Sequence, residues 1–332
     1  MSSKIPFYVF YGIKGGPTAL QEIELSIKEQ LWFVGAGNGI LHIFSTNRRK
    51  KIGQIVLDES IAPNCDLNPI QQIAYDKGEN TDSFIVYILI RANGLYKINI
   101  SFNATLTTDI SFNSPPPIKF DVKSIGFAGF LKYDSNILVE NCSGMALVSL
   151  TDGNILNYFS IPESDVVMSM CKVNKSLVAL GTDGGFILIA NVKNGKIIDK
   201  LSITKKPVVS VNMLNDKIIA ISRNHTYSKL NFDGERLTMA EGNEHVYKSW
   251  KTPPKISIVE PSLKNFFIVA LGSGKINLVK TENFDLLCEM NEHSNKNISA
   301  MAWGKLRKEK EDPYVFLVGT RDDESLTIWS LN

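Results

Sequence analysis

The sequence has 332 residues, 44% of them hydrophobic, and 36 lysines and arginines set against 34 acidic residues give a net charge of +2. This composition predicts a sizeable core and excludes wholesale disorder. The small net charge provides no overall field to attract nucleic acid or a membrane surface. We therefore expect protein partners, with no direct nucleic-acid binding and no membrane binding.

The four cysteines predict neither a zinc site nor a redox motif. Cys65, Cys142, Cys171 and Cys288 are far apart, and no CxxC pair occurs. The first residues lack an apolar stretch followed by a cleavage site, and no apolar run approaches the ~18 residues of a membrane span. We therefore expect an intracellular protein, in the nucleus, the cytoplasm or both, without a cofactor or metal.

Seven predicted β-hairpins follow one another along the chain. In each, two apolar runs flank a short turn such as Asn38-Gly39 or Asp183-Gly184, and glycine favours such turns because it accepts a positive φ at little cost. The hairpins lie at 31–44, 86–98, 137–150, 177–191, 217–232, 266–280 and 315–331. Their spacing of roughly 40–55 residues is that of a four-stranded propeller blade. The sequence therefore predicts an all-β fold, a seven-bladed β-propeller that forms one domain over residues 1–332.

The start of the chain is predicted to close this propeller. Residues 7–11, FYVFY, read as a short strand without a hairpin partner of its own. Because closure removes exposed strand edges, we predict that they form the outer strand of blade seven. An independent N-terminal arm is the alternative. Residues 18–25 and 52–57 are then the inner and outer strands of blade one.

Two polar segments interrupt the repeat. Residues 101–121 contain three consecutive prolines and predict an outer strand followed by a loop, with blade three starting at residues 122–131. The prolines are either a stiff connector or a polyproline ligand. Residues 237–251 contain His245, Tyr247 and Trp250, which are either exposed binding anchors or side chains packed on their own blade.

No local pattern predicts catalysis. The glycines of residues 35–39 resemble a dinucleotide-binding fingerprint, but a strand follows them where a helix is required. No Walker A, HExxH or GxSxG sequence occurs, and the four histidines lack metal-ligand spacing. We therefore expect no catalytic residue and no enzyme activity. An enzyme built from dispersed propeller residues is the alternative, since it would leave no local signature.

Two stretches carry a resemblance to known proteins: the opening PFYVFYGIKGGPTALQ at 6–21, and the blade-four hairpin of residues 177–201 with the Lys-Pro-Val that follows at 206–208. They resemble a degenerate WD-repeat protein, and within that superfamily the G protein beta-subunit-like protein 1 / ASTRA-associated protein 1 family. The opening is similar to the start of that family, and residues 177–201 and 206–211 match its Leu-Leu-x-Gly-x-x-Asp-Gly-x-Val-x-x-Trp-Asp pattern and the Pro-Val that follows. The resemblance covers 6–44 and about 165–332. It departs from the pattern at Ala190-Asn191, which stands where Trp-Asp is expected.

Four residues receive structural roles from this comparison of patterns. His293 lies before the seventh inner strand, where WD-repeat blades carry Gly-His, and we interpret it as part of a hydrogen-bond network that ties strands together. Trp329 stands at the Trp-Asp position of blade seven. Asp183 and Gly184 form the turn of the blade-four hairpin.

The resemblance implies a non-catalytic scaffold that works with the ASTRA chromatin assembly and the TTT co-chaperone, which matures PI3K-related kinases with the Hsp90 system. The implied partners are TTT subunits, PI3K-related kinases and Hsp90-linked AAA+ ATPases. The alternatives are an adaptor of a ubiquitin ligase or of ribosome assembly, and a propeller hydrolase such as the WD-repeat methylesterase of diphthamide synthesis.

Four residues are predicted to contact a protein partner. Lys205 and Lys206 precede blade five, Trp250 precedes blade six, and Arg321 lies in the last hairpin. Tryptophan and arginine are frequent interface anchors. Closed sheets hold such loops in place, so a partner binds without a large ordering cost.

Overall fold

The computed structural model describes residues 6, 8–27, 29–58, 68–104, 109–141, 144–162, 165–247, 251–260, 263, 265–305 and 314–330. Their regular structure consists of β-strands. In chain order the strands are β1 (Tyr8–Phe10), β2 (Pro17–Glu24), β3 (Gln30–Ala36), β4 (Ile40–Ser45), β5 (Lys50–Val56), β6 (Ile70–Lys77), β7 (Ser83–Ile90), β8 (Gly94–Asn103), β9 (Ser111–Asn113), β10 (Ile118–Phe120), β11 (Phe130–Tyr133), β12 (Asn136–Asn141), β13 (Gly144–Ser149), β14 (Ile155–Ser160), β15 (Val167–Lys172), β16 (Leu177–Thr182), β17 (Phe186–Asn191), β18 (Ile197–Ser202), β19 (Val208–Leu214), β20 (Lys217–Ser222), β21 (Thr226–Phe232), β22 (Leu237–Val246), β23 (Pro254–Ile258), β24 (Phe266–Leu271), β25 (Ile276–Lys280), β26 (Leu286–Met290), β27 (Ile298–Lys305), β28 (Tyr314–Thr320) and β29 (Ser325–Ser330).

These strands form seven antiparallel sheets, in which consecutive strands are neighbours. Blades one to six are β2–β5, β6–β10, β11–β14, β15–β18, β19–β22 and β23–β26, and blade seven is β27–β29 with β1. Each of the seven predicted hairpins supplies the second and third strands of one blade. The chain therefore has the all-β, seven-bladed β-propeller fold that the hairpin repeat predicts.

The predicted closing strand is confirmed. Strand β1 pairs antiparallel with β29, with Tyr8 opposite Ile328, Val9 opposite Thr327 and Phe10 opposite Leu326. The N-terminal strand thus supplies the outer edge of a sheet whose other three strands lie at the far end of the sequence. This pairing covers the edge that β29 would otherwise expose.

The chain divides into two compact units. The first comprises residues 1–123 and 296–332 and contains blades seven, one and two, and the second comprises residues 124–295 and contains blades three to six. In each unit the hydrophobic core lies between successive blades. Blades one and two share one cluster and blades seven and one another, while the second unit has clusters between blades three and four, four and five, and five and six.

The two middle strands of blade four are continuous apolar runs because both faces of the sheet are covered. Leu177 and Ala179 of β16 pack into the cluster with blade five, whereas the alternating Val178 and Leu180 pack into the cluster with blade three. Both faces of the sheet are therefore covered, and both sets of alternating residues must be apolar.

Side-chain hydroxyl groups also join successive blades. Thr18 Oγ1 donates to the carbonyl of Ile70 at 2.8 Å, and Ser169 Oγ donates to the carbonyl of Val208 at 3.0 Å. In both pairs the donor lies at the irregular start of one inner strand, and the acceptor is the first residue of the next inner strand. In these two blades, the start of the first strand is thereby held against the first strand of the next blade.

The boundaries predicted between blades two and three need correction. The segment that follows β8 forms two short strands, β9 and β10, which both pair with β8, so blade two has five strands. Blade three begins at Phe130 and not at residue 122. Residues 121–129 form a loop instead, in which Ser124 Oγ donates to the buried Glu140 carboxylate at 3.4 Å.

Substitution of Phe10 tests the contribution of the closing strand. Phe10 is 7% exposed and its ring lies 4.8 Å from that of Phe44, so Phe10→Ala is expected to lower the free energy of unfolding by about 3 kcal/mol. The adjacent Tyr11 is 71% exposed, and Tyr11→Ala is expected to change it by less than about 0.5 kcal/mol. Urea unfolding of both variants measures the difference, and equal losses would contradict the packing of β1.

His42 is a buried titratable side chain in the core of blade one. Only 3% of it is exposed, and within the described part of the chain neither ring nitrogen has a hydrogen-bond partner. Burial, with a smaller effect from the positive charge of Lys51, lowers the pKa of His42 to about 4. The imidazole is therefore neutral in the folded protein at neutral pH.

His42 should make stability depend on pH. Its pKa in the unfolded chain is about 6.5, so the unfolded state gains a proton first, and stability is lost as the pH falls from 6.5 towards 4. The loss from this group is on the order of 3 kcal/mol at the acid end. We expect His42→Leu to lose less stability than the native chain between pH 7.5 and pH 4.5, as followed by urea unfolding. Parallel losses in the two proteins would show that His42 is not responsible.

Candidate functional site

One edge of each blade gathers the loops that a partner could contact. Because the strands of a blade are antiparallel, the turn between its second and third strands lies beside the connection that enters its first strand. In the six blades whose residues at this point are described, the first residue after the second strand donates its backbone N–H to the carbonyl of the residue just before the first strand. The pairs are Gly37 to Gly16, Arg91 to Pro69, Asp183 to Val166, Arg223 to Pro207, Gly272 to Pro253 and Arg321 to Asn297, at 2.8–3.0 Å. We call this side of a blade its loop edge.

Asp183 and Gly184 tie the loop edge of blade four together. The Asp183 carboxylate accepts the backbone N–H of Val166 at 2.8 Å, in addition to the backbone bond between the same residues. Thr182 Oγ1 donates to Asp165 at 3.1 Å. A Cβ atom on Gly184 would lie 2.7 Å from the Asp165 carboxylate, so the turn and the incoming loop are in close contact. The structural role assigned to both residues stays a prediction, and these contacts describe the surroundings of the turn.

The same turn also contacts the loop that enters blade five. The Gly185 carbonyl accepts the backbone N–H groups of Ile203 at 3.1 Å and Thr204 at 3.3 Å. A Cβ atom on Gly185 would lie 2.1 Å from the Thr204 carbonyl oxygen and 3.1 Å from that of Lys206. The blade-four turn therefore lies between the entry loops of blades four and five and fixes one against the other.

Lys205 and Lys206 are exposed on this second loop. The next hairpin turn brings Arg223 beside them, because its N–H donates to the carbonyl of Pro207 at 2.8 Å. The Arg223 side chain is exposed as well. We call Lys205, Lys206 and Arg223 the basic cluster. Arg223 is not among the contact residues predicted from the sequence. Its place directly after the second strand of a hairpin indicates a turn, but only the contact with Pro207 brings it beside Lys205 and Lys206.

The other two predicted contact residues are described separately. Arg321 belongs to blade seven in the first unit, where it is half-buried and its Cα atom would lie 2.5 Å from a Cβ placed on Gly16. Trp250 lies outside the described residues. Of the nearby aromatic residues, Tyr247 is buried in the cluster of blades five and six, and its ring lies 5.0 Å from that of Tyr227.

His293 and Trp329 are both buried. The Trp329 indole N–H donates to Thr327 Oγ1 at 3.0 Å, Thr327 Oγ1 donates to the carbonyl of Val318 at 3.2 Å, and the indole stacks on Phe316. This chain of bonds joins β29 to β28. His293 lies in the connection that enters blade seven, where the N–H of Asn295 donates to the Ser273 carbonyl at 2.7 Å. The structural roles assigned to His293 and Trp329 stay predictions.

The described part of the chain provides little for catalytic chemistry. It contains no group of three or more His, Cys, Asp or Glu residues that could hold a metal ion. Burial raises the pKa of the Cys171 thiol to about 12, which makes it a poor nucleophile. Over the same residues, no helix is long and apolar enough to cross a membrane.

Comparison with known proteins identifies the fold and goes no further. No family model matches the sequence, and no curated protein matches it. Among solved structures, Raptor from Chaetomium thermophilum superimposes with a TM-score of 0.71 at 11% identity, over 99% of this chain and 29% of the Raptor chain. The computationally designed protein Ika8 gives 0.62 at 11% identity over 97% of this chain and 98% of its own.

These likenesses show the fold alone. The chain spans 29% of the length of the Raptor chain that it matches, so its activity and partners do not follow from that similarity. In all, 1560 chains of known structure match, which makes the fold too widely shared to single out one function. The contacts and exposed side chains of the loop edges are therefore the basis for a proposed function.

Two glycine substitutions separate the cost of crowding from that of backbone strain: Gly185 in the blade-four turn, and Gly234 as a control in blade five. Gly185 and Gly234 both have positive φ, 86° and 109°, but a Cβ on Gly234 meets nothing within 4 Å. We expect Gly234→Ala to cost about 1 kcal/mol of unfolding free energy. Gly185→Ala should cost at least about 2 kcal/mol, because Thr204 must also move. Thermal unfolding measures both, and equal costs would show that the turn and the blade-five loop are not in contact.

Proposed function

We propose that this protein is a non-catalytic interaction scaffold and that the loop edges of blades four and five hold a partner protein. The observation that carries the proposal is the combination of fixed loops and exposed charge. The turn at residues 182–185 is bonded to the entry loops on both sides, and next to it the basic cluster is exposed. A partner that binds there need not order the loops, so little binding energy is lost.

The more specific proposal is that the partners belong to the assembly system of PI3K-related kinases. It is supported by the sequence resemblance to the ASTRA-associated protein 1 family over residues 6–44 and 165–332, a stretch that includes blade four and the basic cluster. The expected partners are TTT subunits, PI3K-related kinases and Hsp90-linked AAA+ ATPases, in the nucleus or the cytoplasm. In this role the propeller would present its loops to large proteins and turn over no small molecule.

Affinity purification tests this proposal. The tagged chain, expressed at its native level, is expected to recover TTT subunits or a PI3K-related kinase in stoichiometric amounts by mass spectrometry. The variant Lys205→Glu/Lys206→Glu should recover less of them, since charge reversal at an interface opposes association. Ribosomal or ubiquitin-ligase components in their place would overturn the specific proposal, and the absence of any stoichiometric partner would overturn the scaffold.

A control variant guards against general effects of charge. Lys193→Glu/Lys196→Glu makes the same charge change in the turn between β17 and β18, at the opposite edge of blade four, where both lysines are exposed. It should recover partners as the native chain does. Equal losses in the two variants would remove the assignment of binding to the loop edge.

A further inference from the structure

The basic cluster has the features of a recognition surface with a defined charge. Lys205, Lys206 and Arg223 are all exposed, and within the described residues none of their side chains forms a hydrogen bond or an ion pair. Elsewhere on the described surface, lysines do pair with carboxylates: Lys275 with Glu289 at 2.8 Å and Lys296 with Asp323 at 2.6 Å. The three cations of the cluster are therefore available to a partner.

Hydrogen bonds anchor the backbone of the basic cluster. Lys206 donates its N–H to Thr204 Oγ1 at 3.3 Å, and Thr204 is bonded in turn to the Gly185 carbonyl. Arg223 is attached to the same loop through the carbonyl of Pro207. The backbone positions from which the three side chains extend are thus set by the fold.

An exposed apolar side chain lies on the other side of the blade-four turn. Val166 is 40% exposed, and Asp183 bonds to it through both its side chain and its backbone. Asp165 and Asp183 flank this position, with their carboxylates bonded to Thr182 and to Val166 itself. The blade-four turn and the two loops that it contacts therefore present an apolar side chain, two carboxylates and three cations.

We propose that this surface binds an extended acidic segment of a partner protein, with its carboxylates on the basic cluster and an apolar side chain against Val166. The inference rests on the proposed scaffold function and adds the chemistry of the partner. Carboxylates complement the three cations, and charge complementarity determines which partner associates and how fast. The apolar neighbour favours a peptide over a purely ionic ligand.

Nucleic acid fits the same surface less well. Its affinity comes from the neutralisation of many phosphates in a row. Here the described residues group three cations, Asp165 and Asp183 belong to the neighbouring turn and loop, and the whole chain carries a net charge of only +2. A phosphate backbone that runs along the loop edge would be repelled by the two carboxylates, whereas a peptide can place its acidic residues over the cations alone.

Selection from random peptides displayed on phage tests the proposal, with the full folded chain as bait. We expect the enriched peptides to be rich in Asp and Glu and to carry an apolar residue. Their affinity should fall about tenfold for Lys205→Glu/Lys206→Glu/Arg223→Glu, as expected when three exposed ion pairs are lost. It should also fall as salt rises from 0.1 M to 1 M, because screening shortens the range of charge interactions. Neutral or basic peptides, or no enrichment, would overturn the proposal.

The matched control is Lys175→Glu/Lys193→Glu/Lys196→Glu, which changes the charge by the same amount with exposed lysines at the opposite edge of blade four. It should bind the selected peptides as the native chain does, and thermal unfolding checks that both variants are folded. Val166→Ser should weaken binding of peptides with an apolar residue more than of peptides in which serine replaces it. Equal weakening of both peptide sets would remove the apolar contact from the proposal.

Three outcomes separate this inference from nucleic-acid binding and from the scaffold itself. A single-stranded oligonucleotide whose binding, followed by fluorescence anisotropy, is lost in the basic-cluster variant and kept in the control would assign the cluster to nucleic acid and overturn the peptide proposal. Partners that co-purify equally with the native chain and the basic-cluster variant would overturn the acidic segment and leave the scaffold standing. A chain that selects acidic peptides but purifies alone would overturn the scaffold in the cell.

Discussion

The structure depends on one constraint: the middle strands of a blade must bury both of their faces against neighbouring blades. In blade four, Leu177 and Ala179 pack towards blade five while Val178 and Leu180 pack towards blade three. A single four-stranded sheet could not bury both faces, so blades are stable only in contact with one another. Within each unit the hydrophobic clusters accordingly lie between blades, and the hydroxyl bonds of Thr18 and Ser169 fix how successive inner strands meet.

This packing determines what the loops can do. Where the first strand of a blade is bonded to its neighbour, the backbone of the connection that enters it is constrained. In the six blades described at this point, the turn after the second strand is also bonded to that connection. The result is a set of short loops with fixed backbones and variable side chains. Such a surface suits recognition, since side chains can change without any loss of fold and a partner meets loops that are already ordered.

The same packing explains how the chain forms this fold without a Trp-Asp pair in blade four. At the Trp-Asp position of blade four, Ala190 is buried in the cluster with blade three, so its small side chain still contributes to a packed face. Blade seven keeps Trp329, whose indole N–H is satisfied by Thr327. What matters at these positions is that the face is filled and that buried polar groups are paired, which several residue types can achieve.

The sequence by itself determined the repeat and the hairpins, because apolar runs and glycine or asparagine turns are local signals. It also determined the closing strand, because residues 7–11 had no hairpin partner of their own. It also placed Lys205 and Lys206 on an exposed loop. It could not give the start of blade three, since the strand-like composition of 122–131 does not reveal that the loop folds over Glu140. Only the tertiary structure brought Arg223 beside Pro207, and only it set Val166 beside Asp183 of the blade-four turn. Both contacts join residues of different strands through backbone hydrogen bonds, which any residue type can form, so the sequence carries no signal for them.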